Sequence, residues 1–223
     1  MAAPTLIYCS NGNRRFAEIA LSNGYLYGAQ LPGTVYLDPY FVDNKFKDPN
    51  REAYMAALAE HRPYMASVID WMPGIELSEV VSWAEEAACF VDVLMIIPKI
   101  QHTVHMIPRS IGEKQVRIGY SVPTRYGGTE LMVSEFYGWP VHLLGGSPGA
   151  QMKLCQYMNV VSADGNMARL QANRGLWWLP GKGPFTNRWV TFREMGEVVD
   201  GDIPYKAFER SCVNMMAAWN RKR

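Results

Sequence analysis

An apolar run, Val160-Val161-Ser162-Ala163, ends on a single carboxylate and a glycine, Asp164-Gly165, and helical spacing begins directly afterwards. A strand tip of that kind places one acid beside backbone N–H groups and the positive end of a helix dipole, which keep it ionised. An ionised carboxylate can act as a nucleophile at a sugar carbon. The same residue, followed by Gly165-Asn166, is also a good helix N-cap. Ser67-Val68-Ile69-Asp70 repeats the layout with Trp71 beside the acid, where a heterocycle can hydrogen-bond and stack. A loop acid facing water is the plainer reading of Asp70. Asp43 and Asp38, in Tyr36-Leu37-Asp38-Pro39-Tyr40-Phe41-Val42-Asp43, each offer the general base that a transfer reaction requires. Asp48-Pro49 reads instead as the cap and first residue of a helix.

Two further tips carry glycine or polar groups. Tyr120-Ser121-Val122-Pro123-Thr124-Arg125 presents Tyr120 to a ligand and Arg125 to a phosphate, although a loop arginine is more often only solvated. In Gly145-Gly146-Ser147-Pro148 the glycines let backbone approach a flat ligand, with Ser147 as a further contact. The same residues also form a tight turn in which Ser147 caps a helix opened by Pro148. His102 and His105 share a helix face, but no neighbouring acid or cysteine completes a metal set. His142 sits in an apolar run as an inner or outer wall residue. No serine-triad, Walker or zinc-deaminase signature is present.

Residues on separate tips need a scaffold that gathers them. Eight short apolar runs begin at Thr5, Tyr25, Val35, Tyr64, Val93, Val116, Val141 and Val160, most separated by helical spacing such as Tyr54, Ala57, Leu58 and His61. Several are continuously apolar, as in a parallel sheet covered on both faces. The expected fold is α/β: a compact (β/α)8 TIM-like barrel over residues 1–175, its chemistry on the rim at the strand C-termini. Residues 176–223 form a C-terminal loop and helix packed on the barrel. Phe208, Cys212, Met215 and Trp219 mark the buried face of that helix, and Trp177-Trp178 is a core plug or an aromatic platform. A doubly wound sheet also explains the alternation, but G-x-G-x-x-G is absent after the first run.

With 223 residues, 48% of them hydrophobic, and a formal net charge of +1, the chain can bury a full core and lacks the basic bias of a nucleic-acid module. Arg221-Lys222-Arg223 is a solvated end that can also touch a phosphate backbone. Cys9, Cys89, Cys155 and Cys212 form no C-x-x-C pair and read as reduced core thiols. No window approaches a membrane span and the N-terminal residues lack a signal pattern, so a cytoplasmic location is expected.

The segments Phe41-Val42-Asp43-Asn44-Lys45-Phe46, Val68-Ile69-Asp70, His142-Leu143-Leu144-Gly145-Gly146-Ser147 and Val161-Ser162-Ala163-Asp164, in that order, resemble the tRNA-guanine transglycosylase superfamily. The resemblance is closest to its DpdA-type branch of phage and bacteria and spans roughly residues 35–175. It implies exchange of guanine in DNA, or in tRNA, for a 7-deazaguanine such as preQ0, with no cofactor and no catalytic metal. One aspartate attacks C1′ and the deazaguanine captures the covalent adduct. By position Asp164 is the implied nucleophile, Asp43 the acid/base group with Asp38 its rival, and Asp70, Gly145 and Gly146 the base contacts. An extruded nucleotide would give Trp177-Trp178 a role. The cysteine cluster and histidine of the tRNA enzymes' zinc subdomain are missing, and Asn44-Lys45 stands where relatives carry Ser-Gly. Two other readings compete: a nucleoside or glycoside hydrolase using paired carboxylates, and a non-catalytic barrel that binds nucleic acid.

Overall fold

The computed structural model describes residues 3–10, 13–45, 47–125, 127–181 and 187–221. Phe46, residues 182–184 of the Gly/Pro loop, and the terminal Lys222 and Arg223 lie outside them. Strands β1 (Thr5–Cys9), β2 (Leu26–Leu31), β3 (Phe41–Asn44), β4 (Met65–Ser67) and β5 (Val93–Ile96) pair in parallel in chain order. A two-residue strand β6 (Ser110–Ile111) then pairs antiparallel with β7 (Lys114–Ser121), and β8 (Val141–Leu144) and β9 (Val160–Gly165) follow. β7 also pairs with β5, from Val93↔Gln115 to Ile96↔Ile118, and β9 returns to β1, from Thr5↔Ser162 to Tyr8↔Gly165. The eight parallel strands therefore close into a barrel, which removes the open edges that a doubly wound sheet would keep.

Each of the eight apolar runs supplies one barrel strand. Helices follow five of them, α1 (Arg14–Ser22), α2 (Arg51–His61), α3 (Leu77–Ala87), α4 (Pro148–Leu154) and α5 (Met167–Ala172). The connection after β2 carries no helix, and those after β5 and β7 carry only 3-10 turns at Val104–Met106 and Val133–Phe136, which is how the barrel stays small. The third strand begins at Phe41 rather than Val35, because Pro39 offers no N–H to a ladder. α2 is capped by Asn50, whose side chain accepts the Ala53 N–H at 3.0 Å, so Asp48-Pro49 lies in the turn ahead of it and is no cap.

Strand alternation sends one set of side chains into the lumen and the other toward the helices. Ile7, Cys9, Leu26, Phe41, Met65, Val93, Met95 and Leu144 pack together inside. Gly119 also faces inward: a Cβ there would lie 2.7 Å from Ile97 Cγ1 and 2.8 Å from Leu144 Cδ1. Gly119→Ala is accordingly expected to lower unfolding stability by about 1–3 kcal/mol through overpacking, read as a lower urea midpoint.

After the barrel come a hairpin of β10 (Leu176–Leu179) and β11 (Arg188–Thr191), and then α6 (Ile203–Asn220). Helix α6 packs on α1, α5 and β10. Phe208, Cys212, Met215 and Trp219 are buried on it, as their spacing predicts. The hairpin is the element that Gly/Pro texture concealed. Trp177 and Trp178 are buried at 3% and 2% exposure, and the Trp178 N–H donates to Ser211 Oγ at 2.9 Å, so the pair is core plug and no platform for a nucleotide. Cys212 is buried and Cys9 and Cys155 are partly so, whereas Cys89 is exposed at the end of α3 and is not a core thiol. No helix among the described residues is long and apolar enough to cross a membrane.

Candidate active site at the carboxyl end of the barrel

The C-terminal strand ends bring Asp43, Asp70 and Asp164 to one mouth. Register places Asp164 beside Ile7 of β1 and Asp43 beside Gln30 of β2, while Asp70 follows β4 where Trp71 bridges to Pro98. Asp43 is close enough to both other carboxylates for each to raise its proton affinity. The mouth thus gathers three acids that lie far apart in sequence.

Asp164 caps no helix. α5 opens at Asn166, and Asp164 Oδ1 instead accepts the Gly145 N–H across the barrel wall at 2.9 Å. Gln151, buried in α4, ties the two tips together by donating Nε2 hydrogens to Gly145 O at 2.8 Å and Asp164 O at 2.6 Å. The other flank of Oδ1 is His142, whose Nε2 stands 3.6 Å away. The Cys9 thiol hydrogen-bonds to Asp164, and burial, then the Asp164 and Asp43 charges, push it well above the usual thiol range.

Asp43 is held differently. Ser67 Oγ accepts the Asn44 N–H at 3.0 Å and donates its single hydrogen to Asp43 Oδ1 at 2.5 Å. A proton taken up by Asp43 is therefore carried on Oδ2. Ser67 is itself fixed by Tyr54 of α2, whose hydroxyl donates to Ser67 O at 2.6 Å. Burial, opposed by the Ser67 hydrogen bond and reinforced by Asp164 and Asp70, pushes Asp43 up to about 7. Burial likewise pushes Asp70 up to about 6, against the pull of Lys99, whose Nζ lies 3.9 Å away. The same burial lowers Lys99.

Both acids bind a proton more tightly in the folded chain than in the unfolded one, where a carboxyl titrates near pH 4. Their contribution to stability is complete below about pH 4 and is lost as pH rises through about 6 for Asp70 and about 7 for Asp43. Asp43→Asn should then be more stable than the native chain at pH 8, on the order of 2 kcal/mol after allowing for partial hydration of the carboxyl. The advantage should vanish at pH 4, and urea midpoints at the two pH values check the sign.

Gly145 and Gly146 have φ of +63° and +82° and form the tight turn. A Cβ on Gly146 would lie 2.5 Å from Val122 Cγ1, so that glycine is needed for packing, while Gly145 faces open space. Ser147 caps α4, its Oγ accepting the Ala150 N–H at 3.3 Å, as the turn reading holds. Arg125 is exposed on the turn after β7. Tyr120 is not at the mouth: Gly119 takes the inward position, and the Tyr120 ring packs outward, edge-on to Phe136 at 4.9 Å. Substrate contact by Tyr120 is thereby corrected. Asp38 is exposed in the segment entering β3, apart from the three acids, so Asp43 alone of that pair belongs to the mouth. His105 lies within a 3-10 turn and His102 just ahead of it, and no His, Cys, Asp or Glu cluster among the described residues is arranged to hold a metal ion.

Sequence reasoning missed Cys9, Ser67, Lys99 and Gln151. Cys9 and Lys99 each stand just past the end of an apolar run, a position as telling as that of the aspartates, whereas Ser67 lies inside the run that ends on Asp70. Gln151 left no such signal.

A family described as Family of unknown function (DUF6610) matches residues 23–220, which include strands β2 to β11 and the whole of α6. The chain belongs to that family. The matched span contains every carboxylate of the DUF6610 mouth and omits β1 and the whole of α1 from the barrel. No curated protein matches the chain.

Proposed function

We propose that this barrel is a transglycosylase that exchanges guanine in DNA for a 7-deazaguanine base through a covalent adduct on Asp164. The observation that carries the reading is the contrast between two neighbouring carboxylates. One, Asp164, is fixed through Oδ1 on a backbone N–H, and the other, Asp43, is pushed up to about 7 with its protonation site on Oδ2. Paired acids in unlike environments divide the roles of nucleophile and acid/base group.

Asp164 Oδ2 attacks C1′ of the nucleotide as the C1′–N9 bond breaks, and the electron pair passes to N9 of guanine. Asp43 supplies the proton that guanine takes up. In the second half the incoming base gives its N9 proton to the Asp43 carboxylate, N9 attacks C1′, and the C1′–O bond breaks to restore Asp164. Asp70 holds the base edge, Gly145 lines it with backbone, and Arg125 meets the phosphate backbone. A deoxynucleotide must leave the stack to present C1′. DNA as acceptor places the work in the cytoplasm of a bacterium or of a phage host.

The reading is tested by incubating the protein with duplex and single-stranded DNA, separately with tRNA, and with labelled preQ0 or a related deazaguanine, followed by mass spectrometry of the nucleosides. Label in deoxynucleosides with matching guanine release is the expected result. Label in tRNA alone would reassign the acceptor. Guanine release that needs no incoming base would favour the hydrolase reading, and DNA binding with unchanged nucleosides a non-catalytic barrel.

A further inference from the structure

A chain of polar groups runs through the barrel lumen behind Asp164 and ends on it. Arg117 of β7 donates from Nη1 to Ser162 Oγ of β9 at 3.0 Å, and Ser162 Oγ lies 2.7 Å from His142 Nδ1 of β8. His142 and Ser162 are both fully buried. His142 packs its ring on Phe41 at 4.9 Å, so it cannot swing freely. The outer ring nitrogen, Nε2, is buried without a hydrogen-bond partner and stands 3.6 Å from Asp164 Oδ1. Arg117 Nε, at the far end of the chain, is also buried without a partner, but Nε2 is the unpaired atom that faces a carboxylate, and such an atom calls for an explanation.

Hydrogen-bond arithmetic supplies one. A guanidinium only donates, so Ser162 Oγ is the acceptor from Arg117. The serine has one hydrogen of its own, and among the described residues His142 Nδ1 is the only further group that it meets within hydrogen-bond distance. Were Nδ1 to carry a proton and donate to Ser162, the serine hydrogen would be stranded in a site without water access, at a cost typical of an unmade buried hydrogen bond. Ser162 therefore donates to Nδ1.

We infer that Arg117 and Ser162 lock His142 as the neutral tautomer with its proton on Nε2, and that this N–H serves Asp164 Oδ1 as a second N–H donor beside Gly145, in addition to the Cys9 thiol on the same carboxylate. The catalytic consequence rests on Asp164 being the nucleophile proposed above. While the sugar is bound, Asp164 Oδ1 is the carbonyl oxygen of an ester. As the C1′–Oδ2 bond breaks, the electron pair returns to the carboxylate, and the charge that grows on Oδ1 meets two N–H donors already in place. The His142 contact, beyond hydrogen-bond length in the free protein, shortens as that charge develops. His142, Ser162 and Arg117 are positioning residues in this scheme.

The test is a long-range ¹H–¹⁵N correlation spectrum of protein carrying ¹⁵N-labelled histidine, which has four residues to resolve, with His142 assigned by comparing native chain, Ser162→Ala and Ser162→Thr. The expected native pattern for one imidazole is an unprotonated, hydrogen-bonded Nδ1 and a protonated Nε2. Ser162→Ala should lose that pattern and Ser162→Thr, which keeps the hydroxyl, should retain it. In the exchange assay Ser162→Ala should lower the rate of adduct breakdown about tenfold with little change in KM, and Ser162→Thr should restore it. A native spectrum in which none of the four imidazoles combines an unprotonated, hydrogen-bonded Nδ1 with a protonated Nε2 overturns the inference and needs no variant to fold. That outcome leaves the transglycosylase reading standing, whereas the expected spectrum without base exchange leaves the tautomer standing and removes only its catalytic role.

Discussion

Asp164→Asn should suppress guanine exchange by about three orders of magnitude or more, because the amide oxygen cannot displace a base from C1′. The fold should survive the change. Asn retains an oxygen for the Gly145 N–H, and the Gln151 bonds that tie the strand tips go to backbone carbonyls, not to the side chain. A near-native urea midpoint with exchange abolished, both measured on the same preparation, is the expected pair of results. Exchange that persists within a few-fold of native would remove Asp164 as nucleophile.

Asp43→Asn should lower exchange about 10²- to 10⁴-fold, the usual worth of a positioned general acid or base. The pH dependence of the native protein separates its two duties. Adduct formation needs Asp43 protonated, so its single-turnover rate should fall as pH rises through about 7. Capture by the incoming base needs the carboxylate, so that rate should fall as pH drops through the same region. Opposite slopes for the two half-reactions, both lost in Asp43→Asn, are expected from stopped reactions between pH 5.5 and 8.5. The same substitution should stabilise the chain at alkaline pH, since the native carboxyl ionises there against its burial.

The barrel could be read from the chain because its strands are short, apolar and each closed by a polar residue, and because helices fall between most of them. Closure itself was less legible. It depends on β5 meeting β7 across a connection that holds only a 3-10 turn and the two-residue β6, and no local pattern reports that pairing. The acids at Asp43, Asp70 and Asp164 were found because strand ends of a parallel barrel converge on one rim. Their supports were not. Ser67 orders Asp43 through a hydroxyl that any strand could carry, and Gln151 reaches two carbonyls from a helix whose sequence looks ordinary. His142 reads as a wall residue and is one, on the inner face, but its value lies in partners 20 and 22 residues away on the neighbouring strand β9. Tyr120 was misplaced by a single step of strand alternation, since Gly119 has no side chain to announce which face points inward.

The central claim is a covalent bond between Asp164 and a sugar carbon, and it can be looked for directly. Protein mixed with DNA and no incoming base, quenched in acid and digested, should yield the peptide containing Asp164 bearing a deoxyribose-linked mass, with guanine released in equal amount. Guanine released over many turnovers with that peptide unmodified, or an adduct mapped to another residue, would contradict the account.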